Sequence, residues 1–192
     1  MAGFLVSLFV FWRKLKDDYS SQIIFSLAFF ILLGTFLGYV ISLWQLKIWF
    51  FWLELMGAFV GLTLGVLKFK TRFYEILEAM VVSMLPVLAI FFLNDSVSNS
   101  SLVSFIAFTT ILFLIFVYYL LDAHYREFSW YKSGKIGFSG LAILGLLFLI
   151  RAGVAIFYAG VLSFVGKSEV FVSGPLAFMS FLVIFNLGNV KK

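Results

Sequence analysis

The chain contains no cysteine, one histidine (His124) and only two prolines. Without cysteine there can be no disulfide, thiolate metal centre or cysteine nucleophile, and the chain cannot itself be lipidated on cysteine. A single histidine rules out a histidine-rich metal site. Charge is also scarce. Only 12% of the 192 residues are charged and 64% are hydrophobic, whereas a soluble globular domain carries about a quarter charged residues and half apolar ones. So few charges cannot cover a water-facing surface of this size. Strict apolar–polar alternation is missing too, which excludes the strand pattern of a transmembrane β-barrel.

What remains is a set of long uncharged stretches. Tyr19 to Leu46, Ser96 to Leu121 and Val170 to Val190 carry no charge at all. About 20 apolar residues in a helix cover the hydrocarbon core of a bilayer. The sequence therefore predicts an all-α, polytopic transmembrane bundle forming a single domain, 1–192. The expected spans are Gln22 to Trp44, Ile48 to Leu67, Ile76 to Leu93, Leu102 to Leu121, Ile136 to about Phe164, and Val170 to about Leu187. The apolar segment Ala2 to Trp12 is too short to cross, since eleven helical residues rise only ~16 Å. Its positive charges, Arg13, Lys14 and Lys16, follow the apolar run, whereas a signal peptide carries them before it. It reads as a half-length first helix, or as a chain that starts late.

Loop charge supports this division. Eleven of the fourteen basic residues fall after the first, third and fifth segments and in the tail: Arg13, Lys14, Lys16; Lys68, Lys70, Arg72; Arg126, Lys132, Lys135; Lys191, Lys192. The intervening loops hold only Lys47 and Lys167. Basic residues mark the cytoplasmic side, so the N-terminus is expected outside and the C-terminus inside. The net charge of +5 is thus a sign of topology, and no nucleic-acid partner is expected.

Within the spans, Gly57, Gly61 and Gly65 recur every fourth residue, as do Gly34 and Gly38. That spacing puts them on one helix face, where a neighbouring backbone can come close. Pro86 is expected to kink the fourth span. Trp44, Trp49 and Trp52, and Trp130 with Tyr131, are expected as interfacial anchors. Asn94 to Ser101 reads as a solvated loop. Arg151 is the sharpest feature, a charge about fourteen residues deep in its predicted span. Such a residue marks a site by default, and otherwise a salt bridge or a side chain snorkelling toward the outer interface. Its functional reading is an anion contact, such as a lipid phosphate. Glu54 is the other charge well inside a span and a possible partner, while Glu78 is expected at the interface. No nucleophile elbow, metal-binding histidine pair or phosphate-cradling loop is present, and neither metal nor cofactor is expected.

Several motifs resemble the prolipoprotein diacylglyceryl transferase family in order and spacing. GFLVSLFVFWRK (Gly3 to Lys14) is similar to the end of that family's first helix and its basic loop. GTFLGYV (Gly34 to Val40) resembles a motif of the form G-A-R-L-G-Y-V, and WLELMGAFVGLTLGV (Trp52 to Val66) one written W-x-G-G-x-S-F-H-G-G-L-I-G-V. LPVLAIFFLN (Leu85 to Asn94) stands where the family has a proline and then R-I-G-N-F-x-N. SGLAILGLLFLIR (Ser139 to Arg151) is similar to a helix that begins S-G-L-F-L-L-G and reaches an arginine. Gly174 and Pro175 fall where the family's last helix begins.

The resemblance implies a membrane-embedded enzyme of a bacterial-type cytoplasmic membrane. Such an enzyme moves diacylglyceryl from phosphatidylglycerol to a cysteine of prolipoprotein signal segments. It implies Arg151 for the lipid phosphate, with Asn94 as a secondary candidate; Glu54 is a secondary candidate by its place inside a span. The departures are as plain as the matches. Phe36 and Val60 stand where the family has arginine and histidine, Leu88 lies near another family arginine, and Ala155 replaces a glutamate. Three readings stay open: a diverged transferase, an inactive member that binds phospholipid or a membrane partner, and an unrelated small transporter or assembly factor. The orientation is directly testable. Single Arg72→Cys and Lys132→Cys variants should react with a membrane-impermeant maleimide only after the membrane is opened. Labelling of intact cells would reverse the topology.

Overall fold

The computed structural model describes residues 2–131, 136–158 and 160–189. Among the described residues there are seven α-helices and no strand. They are α1 (Ala2–Leu15), α2 (Ser21–Gln45), α3 (Phe50–Phe69), α4 (Phe73–Asn99), α5 (Leu102–His124), α6 (Phe138–Phe157) and α7 (Glu169–Asn189). Short 3-10 turns, Lys47–Trp49 and Gly166–Ser168, lead into α3 and α7. All but α1 are long and apolar enough to cross a membrane. The chain is an all-α polytopic bundle. Hydrocarbon is the solvent its exterior needs. Phe29, Phe113 and Phe185, each well inside its helix, are 62%, 61% and 65% exposed, an arrangement that would drive aggregation in water.

The helices run up and down, so the bundle has two ends. One holds the ends of α1, α3, α5 and α7 and the starts of α2, α4 and α6. It carries Arg13, Lys14, Lys16, Lys68, Lys70, Arg72 and Arg126 and is called here the basic end. Four further basic residues assigned to this side by sequence, Lys132, Lys135, Lys191 and Lys192, lie outside the described residues. The opposite, far end carries the two 3-10 turns with Lys47 and Lys167.

Lipid tails are as apolar as leucine, so burial alone gives helices little reason to associate in a bilayer, and close packing must supply it. The glycines spaced four apart do this between α2 and α3. A Cβ built at Gly34 would collide with the carbonyl oxygen of Gly57, and one built at Gly57 with that of Gly34. Gly38 meets Leu53 and Gly61 meets Phe30 in the same way, backbone to backbone. The two helices form one welded hairpin, with Cα–H groups close to facing carbonyls. Gly140 also brings α6 close to α4, where an added Cβ would crowd the Cα and side chain of Glu78.

The short α1 is pinned by polar groups as well as by Phe11 and Leu15, both buried. Lys14 lies 2.9 Å from Glu78 of α4 and 2.8 Å from Asp122 of α5, with its ammonium over the ring of Tyr118. Burial by itself pushes the Lys14 ammonium down. Glu78 and the hydrogen bonds to Asp122 and Tyr118 outweigh that effect and hold it above the usual lysine range. Glu78 also accepts the backbone N–H of Gly137 at 2.7 Å. It is therefore a buried tie between helices at the basic end.

Other expectations are corrected here. The sixth span stops at Phe157 and does not continue to Phe164, because the chain turns extended at Tyr158. Arg151 is consequently six residues from the helix end. The fourth span extends to Asn99, so Asn94 and Asp95 are helical and not in a loop. Asp95 caps the turn from inside, accepting from Asn99 at 2.8 Å and from the Ser104 hydroxyl. The chain reverses at Ser100, whose φ is +49°. Tyr131 is buried and so is no interfacial anchor.

The glycine weld should respond to size. Gly34→Val or Gly57→Val should cost about 1–3 kcal/mol of stability, the usual penalty for overpacking, seen as earlier thermal unfolding in detergent. Gly153→Ala and Gly174→Ala, whose added Cβ would meet nothing within 4 Å, should leave unfolding unchanged.

Candidate functional site

Arg151 points from the last turns of α6 into the bundle at the far end and is 5% exposed. An arginine buried in a membrane span needs an anion or a full set of acceptors. The strand of chain after α6 supplies them. It folds back so that Ser163 and Phe164 lie over Arg151, and α7 then begins with Glu169, which is wholly buried. Arg151 Nε donates to Glu169 Oε1 at 2.8 Å. Its Nη1 donates to Ser163 Oγ at 3.0 Å and its Nη2 to the Ser163 carbonyl at 2.8 Å. The guanidinium also lies 3.8 Å from the ring centre of Phe51 and 4.8 Å from that of Phe164, so aromatic rings offer it cation–π contacts.

Glu169 is equally well satisfied. Its Oε1 accepts the Ser173 hydroxyl at 2.6 Å, one turn along α7. Its Oε2 accepts the indole N–H of Trp52 at 3.1 Å and the Val165 backbone N–H at 3.3 Å. As the first residue of α7, the carboxylate also faces the positive end of the helix dipole. Trp52 stacks on Phe148 of α6, with centroids 5.6 Å apart. One ion pair thus ties α3, α6 and α7 together. Trp52, expected as an interfacial anchor, is 4% exposed and belongs to this clasp.

The other candidate residues lie apart from it. Glu54 is half-buried on the side of α3 that meets α2, beside Gly38. It has no ion pair among the described residues; Glu169 takes the place proposed for it beside Arg151. Asn94 is exposed on α4. His124 is exposed at the basic end, its ring nitrogen 3.0 Å from the Leu120 carbonyl. Among the described residues no group of three His, Asp or Glu could hold a metal.

Sequence reasoning missed Glu169, Ser163, Ser173 and Trp52 as parts of the site. One signal was present. Glu169 is the only acidic residue between Arg151 and the end of the chain, within the same helical hairpin.

A cavity of about 250 Å³ opens beside the clasp, between α4, α5 and α6. Its wall is apolar, with Leu88, Phe92, Ile106, Ala107, Ile111 and Leu147, joined by Thr110, Tyr158 and Arg151. The apolar lining suits a hydrocarbon chain close to a cation.

No family model matches the chain, and comparisons with curated proteins and solved structures also find no match.

Removing one partner of a buried pair strands the other charge. Glu169→Ala should therefore destabilise the protein by about 3–5 kcal/mol. The double variant Arg151→Leu/Glu169→Leu should recover most of that loss, because no charge is left buried. Thermal unfolding of the three proteins in one detergent checks the coupling. A double variant as weak as Glu169→Ala would deny it.

Proposed function

We propose that this chain is a membrane-embedded phospholipid-binding protein, with the layout of a prolipoprotein diacylglyceryl transferase but without that family's transfer chemistry. The observation that carries the reading is the closed state of Arg151. All three of its guanidinium nitrogens already bond to Glu169 and Ser163, while the cavity beside it is lined for a hydrocarbon chain. Transfer to a thiol needs a group that takes a proton and groups that stabilise a leaving phosphate. The positions where the resemblance expects such groups hold Phe36 and Val60, which face the membrane, and Ala155, which is buried. His124 is at the opposite end of the bundle.

The bound lipid is phosphatidylglycerol or a chemical relative. The setting is a bacterial-type cytoplasmic membrane, with the far end outward. A second reading, an active transferase acting on prolipoprotein signal segments, draws on the same placement of Arg151 beside an apolar cavity. In that case a phosphate displaces Glu169 and takes over the planar fork of donors.

A transfer assay separates the two. The pure protein is incubated with phosphatidylglycerol and a lipobox peptide, beside a transferase of known activity. The expected result is no product. Phospholipid retained through purification, counted by native mass spectrometry, should fall at least twofold in Ala107→Trp, which fills the cavity. Product formation, abolished in Arg151→Ala, would establish the transferase in place of the binding protein. Equal retention by Ala107→Trp would remove the cavity from the reading.

A further inference from the structure

Two hollows flank the clasp, and they differ in the polar atoms they leave open. The groove between α3 and α7 is walled by Trp52, Phe148 and Met179. Its two polar side chains are spent, the Trp52 indole on Glu169 and the Ser180 hydroxyl on the Leu176 carbonyl at 2.8 Å. The cavity between α4, α5 and α6 is also apolar, but three polar side chains line it: Arg151, Thr110 and Tyr158. Arg151 donates from each of its nitrogens to Glu169 or Ser163, and its charge is met. The Thr110 hydroxyl donates to the Ile106 carbonyl at 2.8 Å, within its own helix. The Tyr158 hydroxyl has no hydrogen-bond partner among the described residues. It is the one open side-chain polar group of the cavity.

Its place in the fold is at the rim. The cavity runs from Val103 and Tyr158, beside the far-end termini of α5 and α6, down to Ile111 and Leu147. From Val103 to Ile111 the helix rises about 12 Å at 1.5 Å per residue, room for the upper part of one acyl chain. Tyr158 is the first residue past α6, has extended backbone, and is 49% exposed. Its phenol lies back against Gly160, where an added Cβ would come within 3.3 Å of the phenol oxygen. A lipid whose tail fills the cavity brings its headgroup to this level, where the amphipathic ring of a tyrosine is at home. There an anionic phosphate oxygen is a stronger acceptor for the phenol than water is.

We propose that Tyr158 is the headgroup-contacting residue of the cavity, its phenol donating to a phosphate oxygen of the lipid whose acyl chain lies below. This rests on the reading of the cavity as a phospholipid site. It adds that the phosphate is recognised at the rim and not at Arg151, whose bonds to Glu169 and Ser163 persist when lipid is bound.

The full chain in detergent is titrated with phosphatidylglycerol and, separately, with a diacylglycerol of the same acyl chains, and bound lipid is counted by native mass spectrometry. Tyr158→Phe keeps the ring and removes only the hydroxyl. It should weaken phosphatidylglycerol about fivefold, the worth of one hydrogen bond, and leave diacylglycerol unchanged. Tyr119→Phe, the same change on an exposed face of α5, should alter neither. Ala107→Trp, which fills the cavity, should weaken both. Wild-type affinity for phosphatidylglycerol in Tyr158→Phe, with binding lost in Ala107→Trp, would overturn the proposal and leave the cavity reading standing. An equal loss of both lipids in Tyr158→Phe would also overturn it, since the ring and not the hydroxyl would then be at work. Undiminished binding in Ala107→Trp would remove the cavity reading, and the proposal with it.

Discussion

The Arg151–Glu169 ion pair is the constraint around which the far end is arranged. A guanidinium in a membrane span is tolerated only when its charge is met and its donors are used. Meeting that demand fixes three things at once. The chain after α6 must fold back to bring Ser163 over the guanidinium, α7 must begin at Glu169, and α3 must present Trp52 to the remaining carboxylate oxygen. The α2–α3 hairpin, welded internally by its glycines, approaches α7 only through side chains at this point. The cavity beside Arg151 and the groove beneath Trp52 are what this arrangement leaves open on its two sides.

The basic end repeats the logic with different groups. Lys14 joins the half-length α1 to α4 and α5 through Glu78 and Asp122. Glu75, one turn earlier on α4, accepts from Tyr19 at 2.6 Å and from Arg72 at 2.8 Å, tying in the loops beside it. Between the two ends the contacts are apolar side chains and glycine-to-backbone approaches. Among the described residues the polar ties between helices gather toward the two ends, and the middle of the bundle relies on shape.

The helices were legible because a bilayer requires length without charge, and that requirement is local to each segment. Gly34, Gly38, Gly57 and Gly61 were legible as a packing face for the same reason, and the structure pairs them with one another. Arg151 stood out by its setting, but its partner did not. Glu169 lies just outside a span when the sequence is read linearly, and only the return of the chain at Tyr158 to Val165 brings it inward. The end of α6 was misplaced because residues 157–164 are as apolar as a helix, and nothing local to them states that the chain must cap Arg151. Trp52 shows the same limit. A tryptophan near a helix start reads as an anchor until the carboxylate that accepts its N–H is known.

The position of Glu169 in the chain also bears on biosynthesis. Residues emerge in order, and domains settle from the N-terminal side first. The α2–α3 hairpin needs no later segment for its glycine contacts, so it can close as soon as both helices are in the bilayer. Arg151 then enters as part of α6 with its counter-ion still unmade. The wait is short, because Glu169 follows eighteen positions later along the chain and opens the last helix. A nascent chain halted between the two would carry an unmatched cation in hydrocarbon and a tryptophan without its acceptor. Arrival of Glu169 meets both demands at once, so the far end closes only when the start of α7 is in place.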